Sequence, residues 1–109
     1  MAQRIAVLRG TLDVLVLKAL TWRAMHGYEI TSWLDDHAHG NLEVLDSALY
    51  QALYRLEERR LIKARWGVTD NRRRARYYEL TPAGRAHLGA ETAKWMRYSA
   101  TVTEILSLA

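Results

Sequence analysis

The stretch IKARWGVTDNRRRARYYELTP, residues 62–82, decides the fold because the spacing of its apolar side chains differs from that of the segments before it. Apolar and basic residues alternate from Ile62 to Trp66, which is typical of a β-strand. Residues 77–80 are predicted to form the partner strand. Residues 67–76 between them are polar, rich in arginine and too long for a two-residue turn. The sequence therefore predicts a two-stranded hairpin with a basic loop.

Three helices are predicted before this hairpin. Residues 12–20 are apolar nearly all round, as in a helix buried on most sides. A second helix is expected over about 27–37, with Gly40 and Asn41 stopping it. A third helix follows Asp46-Ser47, which offer N-cap chemistry. Its apolar face consists of Leu49, Ala52, Leu53 and Leu56.

A last helix is predicted after the hairpin. Thr81 can cap it, Pro82 suits its first turn, and no later proline prevents it from continuing to Leu108. The resulting order of elements is that of a mainly α protein: a winged helix-turn-helix with three helices and a two-stranded wing, plus a long C-terminal dimerisation helix. We expect a DNA-binding domain at 1–81 and the dimerisation helix at 82–109.

The positive charge of the chain is concentrated around the hairpin. The whole chain carries a net charge of +4, whereas residues 55–76 hold nine basic and three acidic side chains. Arginine suits phosphate oxygens and base edges, so this segment predicts contact with nucleic acid better than it predicts a solvated face. The hairpin is expected to straddle the adjacent DNA backbone or to enter the minor groove, through the side chains of Arg72, Arg73, Arg74 and Arg76.

The outward face of the third helix carries side chains that can form hydrogen bonds in a major groove. We expect these DNA-binding residues to be Ser47, Tyr50, Gln51, Tyr54 and Arg55. Both tyrosines have an alternative role, in which they pack between helices and leave only their hydroxyls at the rim.

The sequence resembles the PadR family of transcriptional regulators, in particular its short members with one C-terminal helix. The matching motifs run in one order along nearly the whole chain. They are residues 10–20, His26-Gly27-Tyr28-Glu29-Ile30, Leu49-Tyr50, residues 56–59, Leu61-Ile62, Arg74-Ala75-Arg76-Tyr77-Tyr78 and residues 80–85. The resemblance implies a homodimeric winged-helix protein, usually a repressor, that a small effector or stress signal releases from double-stranded DNA.

The same resemblance implies a phosphate contact for Tyr28, although packing beside Ile30 is an alternative. Two positions depart from the family pattern. Family members often have a Gly-Ser-Leu-Tyr-Pro-like run where this chain has Ser47-Ala48-Leu49-Tyr50-Gln51, and glycine where it has Arg60. These departures leave the predicted fold intact, but a DNA target sequence cannot be transferred from the family.

The last helix carries a seam of mostly apolar side chains at 3.5-residue spacing. Its expected dimer-interface residues are Leu88, Trp95, Tyr98, Val102 and Ile105, and Glu91 also lies on the seam. The alternative is that the helix folds back on its own domain. A small planar aromatic effector could stack on Trp95 at the dimer centre, or Trp95 could simply pack in the interface.

Composition argues against other classes of protein. There is no cysteine, and the run at 12–20 is too short and too charged to span a bilayer, so we expect a cytoplasmic protein without membrane association. The cluster Asp35-Asp36-His37-Ala38-His39 is interpreted as a helix end rather than a metal site. No catalytic grouping is recognisable, so we expect neither an enzyme nor a cofactor. A winged-helix module that binds an acidic protein is the alternative function.

Overall fold

The computed structural model describes residues 4–8 and 10–109 and contains four helices and four strands within them. The elements are β1 (Ile5–Ala6), α1 (Thr11–Ala19), α2 (Gly27–His37), β2 (Leu42–Glu43), α3 (Asp46–Glu58), β3 (Ile62–Val68), β4 (Arg74–Leu80) and α4 (Pro82–Leu106). This is the winged helix-turn-helix that the sequence predicts. Helices α1, α2 and α3 form the body, and β3 with β4 forms the wing.

The core lies where α1, α2, α3 and the base of the wing meet. Val16, Ile30, Leu53, Leu56 and Ile62 are almost completely shielded from solvent. Each helix supplies apolar side chains three or four residues apart, so each buries one face and leaves the other exposed. The buried face of α3 consists of the four residues expected from the sequence, which fixes the orientation of its opposite face.

The wing is longer and its loop shorter than the sequence predicts. Strands β3 and β4 pair antiparallel from Ile62 opposite Leu80 to Val68 opposite Arg74. The prediction of a loop over residues 67–76 is therefore wrong, because Arg74 and Arg76 belong to a strand. The turn is held by the Thr69 N–H, which donates to the Arg73 carbonyl at 2.8 Å. The strands therefore continue to the turn by backbone pairing, although the side chains of residues 67–76 do not alternate between apolar and polar.

Two short pairings have no counterpart in the sequence analysis. Strand β1 pairs in parallel with β2, and Met25 forms an isolated bridge with Tyr78 on the outer edge of β4. Arg4 supports the first pairing, since its guanidinium contacts the Leu42 carbonyl at 2.6 Å and Asp35 at 3.0 Å. Strands of two residues are too short to produce a periodic pattern.

The N-termini of α3 and α4 are stabilised in different ways. Thr81 caps α4 as predicted, and its hydroxyl accepts from the Gly84 N–H at 3.0 Å. The predicted cap of α3 is wrong, because Leu45 occupies the N-cap position and Asp46 already lies in the helix. There Asp46 contributes a negative charge to the first turn, which is favourable at a helix N-terminus.

Helix α4 leaves the body after its first two turns. Leu88 is buried, whereas the large apolar side chains beyond it are mostly exposed, and the helix ends at Leu106 rather than Leu108. The radius of gyration is 15.4 Å, compared with about 13 Å for a compact domain of this length. The protruding helix explains the difference.

We predict that Gly84→Ala destabilises the protein by at least about 2 kcal/mol, because overpacking against a rigid neighbour is not relieved by a rotamer change. A Cβ atom at Gly84 would lie 1.9 Å from the Leu61 carbonyl oxygen. Gly89→Ala in the same helix is the matched control. Nothing lies within 4 Å of a Cβ atom there, so its higher helix propensity should stabilise by about 0.5–1 kcal/mol. Urea unfolding of both variants measures this, and equal stabilities would contradict it.

Candidate nucleic-acid interface

The outward face of α3 is exposed to solvent. Ser47, Tyr50, Gln51, Tyr54 and Arg55 are all exposed, whereas the side chains between them point into the core. Side chains that can donate or accept hydrogen bonds thus follow one another over about two turns of α3. Such a row matches the reach of a helix lying in a DNA major groove.

Two tyrosines frame the junction between α2 and α3. The ring of Tyr50 lies against Gly27, where a Cβ atom would come within 2.7 Å of the tyrosine hydroxyl oxygen. Tyr50 nevertheless remains 54% exposed, so it packs on α2 at its hydroxyl end and is still accessible from solvent. Tyr28 is 78% exposed, which excludes the alternative in which it packs beside the buried Ile30.

The N-terminus of α2 is held in place beside these tyrosines by a capping box. His26 Nδ1 accepts from the Glu29 N–H, and the Glu29 carboxylate accepts from the His26 N–H at 3.2 Å. Partial burial raises the pKa of Glu29, but the hydrogen bond from His26 and the ion pair with Arg23 outweigh it and leave the pKa below its usual value. Glu29 therefore stays ionised and keeps the cap formed at neutral pH.

Arg55 is tied to the body of the protein. Its guanidinium donates to both carboxylate oxygens of Asp13, at 2.7 and 3.3 Å. The hydrogen bonds to Asp13 raise the pKa of Arg55, against the opposing effect of desolvation. Asp13 lies on α1, so this bidentate pair connects α1 to α3 and offsets one positive charge at the interface.

The wing arginines differ in their surroundings. Arg72 and Arg73 lie in the exposed turn, where Arg72 has a φ of 62°. Arg74 lies with its Cζ 4.7 Å from the centre of the Trp66 ring. Arg76 donates to Glu57 of α3 at 2.7 Å, so it connects the wing to α3 and its charge is neutralised. The four arginines that the sequence groups together therefore have three different environments.

A cleft of about 970 Å³ lies between the start of α2, the side of α3 and the wing. It brings together five of the expected residues: Tyr28, Tyr50, Arg73, Arg74 and Arg76. Gln51, Tyr54 and Arg55 line a shallower depression beside it, which Tyr50 shares. The cleft also contains Trp66, which the sequence analysis did not select. The sequence analysis used its alternation with basic residues only to predict a strand, and in the structure Trp66 is 60% exposed.

A second, apolar groove of about 960 Å³ lies between β1, α1 and α4. Trp95 and Tyr98 line it, with ring centres 6.3 Å apart. Ile5 and Leu8 line the opposite wall and are largely exposed. Val102 is half-buried and Ile105 is exposed farther along α4. Leu88 is different from the other expected interface residues, because it is already buried in the core of its own chain.

The acidic and histidine-rich end of α2 is engaged in local contacts. Asp35 pairs with Arg4, and the His37 ring stacks on Trp33 with centres 4.0 Å apart. Within residues 4–8 and 10–109, no three histidine, aspartate or glutamate side chains are grouped closely enough to hold a metal ion. In the same part of the chain, no helix is both long and apolar enough to cross a membrane.

The chain is similar to a family of transcriptional regulators and to a protein of related sequence. The model of the Transcriptional regulator PadR-like family matches residues 16–90. An uncharacterized protein from Lysinibacillus sphaericus is 29% identical over 102 residues, which are 94% of this chain and 90% of that protein.

The solved structures that share the fold include the following two. A transcriptional regulator from Clostridium thermocellum has a TM-score of 0.80 and 26% identity, covering 88% of this chain and 90% of that one. A PadR family transcription regulator from Clostridium difficile has a TM-score of 0.76 and 27% identity, covering 90% of this chain and all of that one. Because the family model matches more than half of its length, the chain belongs to the PadR-like family, whose members are DNA-binding transcriptional regulators and not enzymes.

Proposed function

We propose that this protein is a dimeric repressor that binds a specific sequence of double-stranded DNA in the cytoplasm and is released by a small effector or stress signal. The observation that supports the proposal most strongly is the cleft between α3 and the wing. Tyr28 of α2 and Tyr50 of α3 lie on one side of it and the wing arginines on the other, and the outward face of α3 continues beside it in a shallower depression. Side chains of a helix in the major groove can contact base edges, whereas arginines on a flanking hairpin bind phosphates. The helical side and the wing side therefore have complementary roles in binding DNA.

In the proposed complex, α3 enters the major groove and the wing lies along the adjacent backbone. Gln51 and Tyr54 are at the centre of the exposed face and would contact bases. Arg72, Arg73 and Arg74 would neutralise phosphates and supply affinity that is independent of sequence. Tyr28 lines the same cleft, and its hydroxyl would donate a hydrogen bond to a phosphate. Ser47 and Tyr50 would contact the bases and phosphates that flank this centre, and Arg55 would do so through the N–H donors that Asp13 does not occupy.

The exposed surface of α4 supports the proposal of a homodimer. Tyr98, Ile105 and Leu106 are each more than 60% exposed, and Ile5 and Leu8 extend the apolar surface across the groove. Large contiguous apolar surfaces on small proteins usually mark interaction sites. A second copy packed on α4 would cover them, and the two-fold axis would place two α3 helices about 34 Å apart, one turn of DNA.

We expect substitutions on the outward face of α3 and on the wing to affect DNA binding differently. Gln51→Ala or Tyr50→Ala should weaken binding to the target duplex, taken from the promoter nearest the gene, and leave non-specific binding unchanged. Arg73→Ala should weaken both and reduce the slope of log affinity against log salt by about one, the contribution of one phosphate contact. Fluorescence anisotropy over a range of salt concentrations measures both effects. Affinity that does not change with salt would instead favour the module that binds an acidic protein.

The dimer is tested by placing a charge on its proposed interface. Tyr98→Glu should convert the protein to a monomer in sedimentation velocity at micromolar concentration, because a buried unpaired carboxylate strongly opposes association. Its affinity for the target duplex should fall at least tenfold as the second half-site contact is lost. Ala100→Glu adds the same charge about half a turn away, at an exposed position of α4 that does not line the groove, and is the control for charge alone. A wild-type protein that sediments as a monomer would refute the proposed dimer.

We also propose that the apolar groove accommodates the effector, a small planar aromatic compound that stacks on Trp95. Glu91 lines the same groove but is paired with Lys94 at 3.3 Å, so stacking on the indole ring, rather than the charge of the groove, supports this site. Titration with a panel of planar aromatic cations should quench the tryptophan emission of the wild type and not that of Trp95→Leu. Quenching that is the same in both proteins would rule out this site.

A further inference from the structure

We infer that Trp66 is a positioning residue for DNA binding, whose indole ring holds the Arg74 guanidinium at the mouth of the cleft, ready to contact a backbone phosphate. This inference rests on the proposed function and assigns a role to a residue that the expected interface did not include. It accounts for a large apolar side chain that is exposed on the wing.

The position of Trp66 in the sheet places it on the face that borders the cleft. Side chains on one face of a strand alternate, so Trp66 shares its face with Ile62 and Ala64. Ile62 is buried and Ala64 is half-buried, whereas Trp66 is 60% exposed. The core therefore ends before Trp66, and burial does not account for a tryptophan at this position.

The register brings Arg74 onto the ring. Trp66 lies opposite Arg76 in the ladder, and Arg74 is two residues nearer the wing tip on the same face. A diagonal neighbour at this distance is within reach of long side chains. The Arg74 Cζ lies 4.7 Å from the centre of the Trp66 ring, within the range in which a cation is attracted to an aromatic face.

An aromatic partner orients Arg74 without cancelling its charge. Arg76 is paired with Glu57 and Arg55 with Asp13, so a carboxylate offsets each of these charges. Arg74 has no carboxylate partner among residues 4–8 and 10–109. A guanidinium stacked by its face also keeps its N–H donors, which lie in its plane, available for phosphate oxygens. Because the Trp66 ring already restricts the Arg74 side chain, that side chain loses less rotamer entropy when DNA binds.

A double-mutant cycle on the full-length protein tests the inference, with affinity for the target duplex measured by fluorescence anisotropy. Trp66→Leu should lower affinity about 3- to 10-fold, the range expected for losing an exposed cation–π contact and the order it imposes. Trp66→Phe retains an aromatic face and should recover most of this loss. In the Arg74→Gln background, Trp66→Leu should have no further effect, because the residue it positions is already gone.

Three controls separate positioning from a structural role. Trp22 is 67% exposed and does not line the cleft, so Trp22→Leu should leave affinity unchanged. Arg74→Lys keeps the charge but loses the flat stacking surface, and it should lose affinity as Trp66→Leu does, whereas Arg73→Lys should not. Both Trp66→Leu and Arg74→Gln should also reduce the salt slope, which a loss of stability alone would not change.

Several outcomes would overturn the inference. Unchanged affinity in Trp66→Leu would do so, as would losses that add in the double variant, since additivity would mean that Trp66 contacts DNA independently of Arg74. If Trp66→Leu does not fold, the comparison of Arg74→Lys with Arg73→Lys decides, and equal effects refute the role of the ring. A wild-type protein that binds no duplex is a distinct result, because it refutes the proposed function before any variant is compared.

Discussion

The backbone of Leu61 is the point at which the helical body, the wing and the C-terminal helix are joined. Its N–H donates to the Leu56 carbonyl at the end of α3, and its carbonyl accepts from the Thr81 N–H at 3.1 Å. The Thr81 hydroxyl donates to the neighbouring Arg60 carbonyl at 2.8 Å while its oxygen caps α4. Gly84 has no side chain, which allows the first turn of α4 to approach the Leu61 carbonyl. The angles between α3, β3 and α4 depend on this small set of contacts.

The arginines of the interface divide into structural and available charges because of what lies beside them. Glu57 and Asp13 each accept a short hydrogen bond from an arginine, at 2.7 Å, and each joins two elements of the fold. The Glu57 pair connects the wing to α3, and the Asp13 pair connects α1 to α3. Arg73 and Arg74 also line the cleft, and within residues 4–8 and 10–109 no carboxylate pairs with either of them.

Helix α1 lies between the two surfaces of the molecule. Val14 and Leu15 line the apolar groove, and Asp13 holds Arg55 on the exposed face of α3. Adjacent residues of one helix therefore contact the proposed effector site and the proposed DNA-binding surface. A rigid helix of nine residues, buried on most sides, connects them without an intervening loop.

The sequence by itself determined the features that arise locally: the helix at Gly27–His37, the threonine cap of α4, the change to strand spacing at Ile62 and the concentration of arginine. Helical and strand periods, caps and charge are properties of neighbouring residues, so they can be predicted without a structure. Tertiary structure alone decided the length of the wing, the pairing of β1 with β2, the burial of Leu88 and the exposure of Trp66. It also decided which arginines are neutralised, because Arg55 meets Asp13 and Arg76 meets Glu57 across 42 and 19 residues of sequence. Contacts over such separations depend on how the elements pack, and no local pattern specifies them.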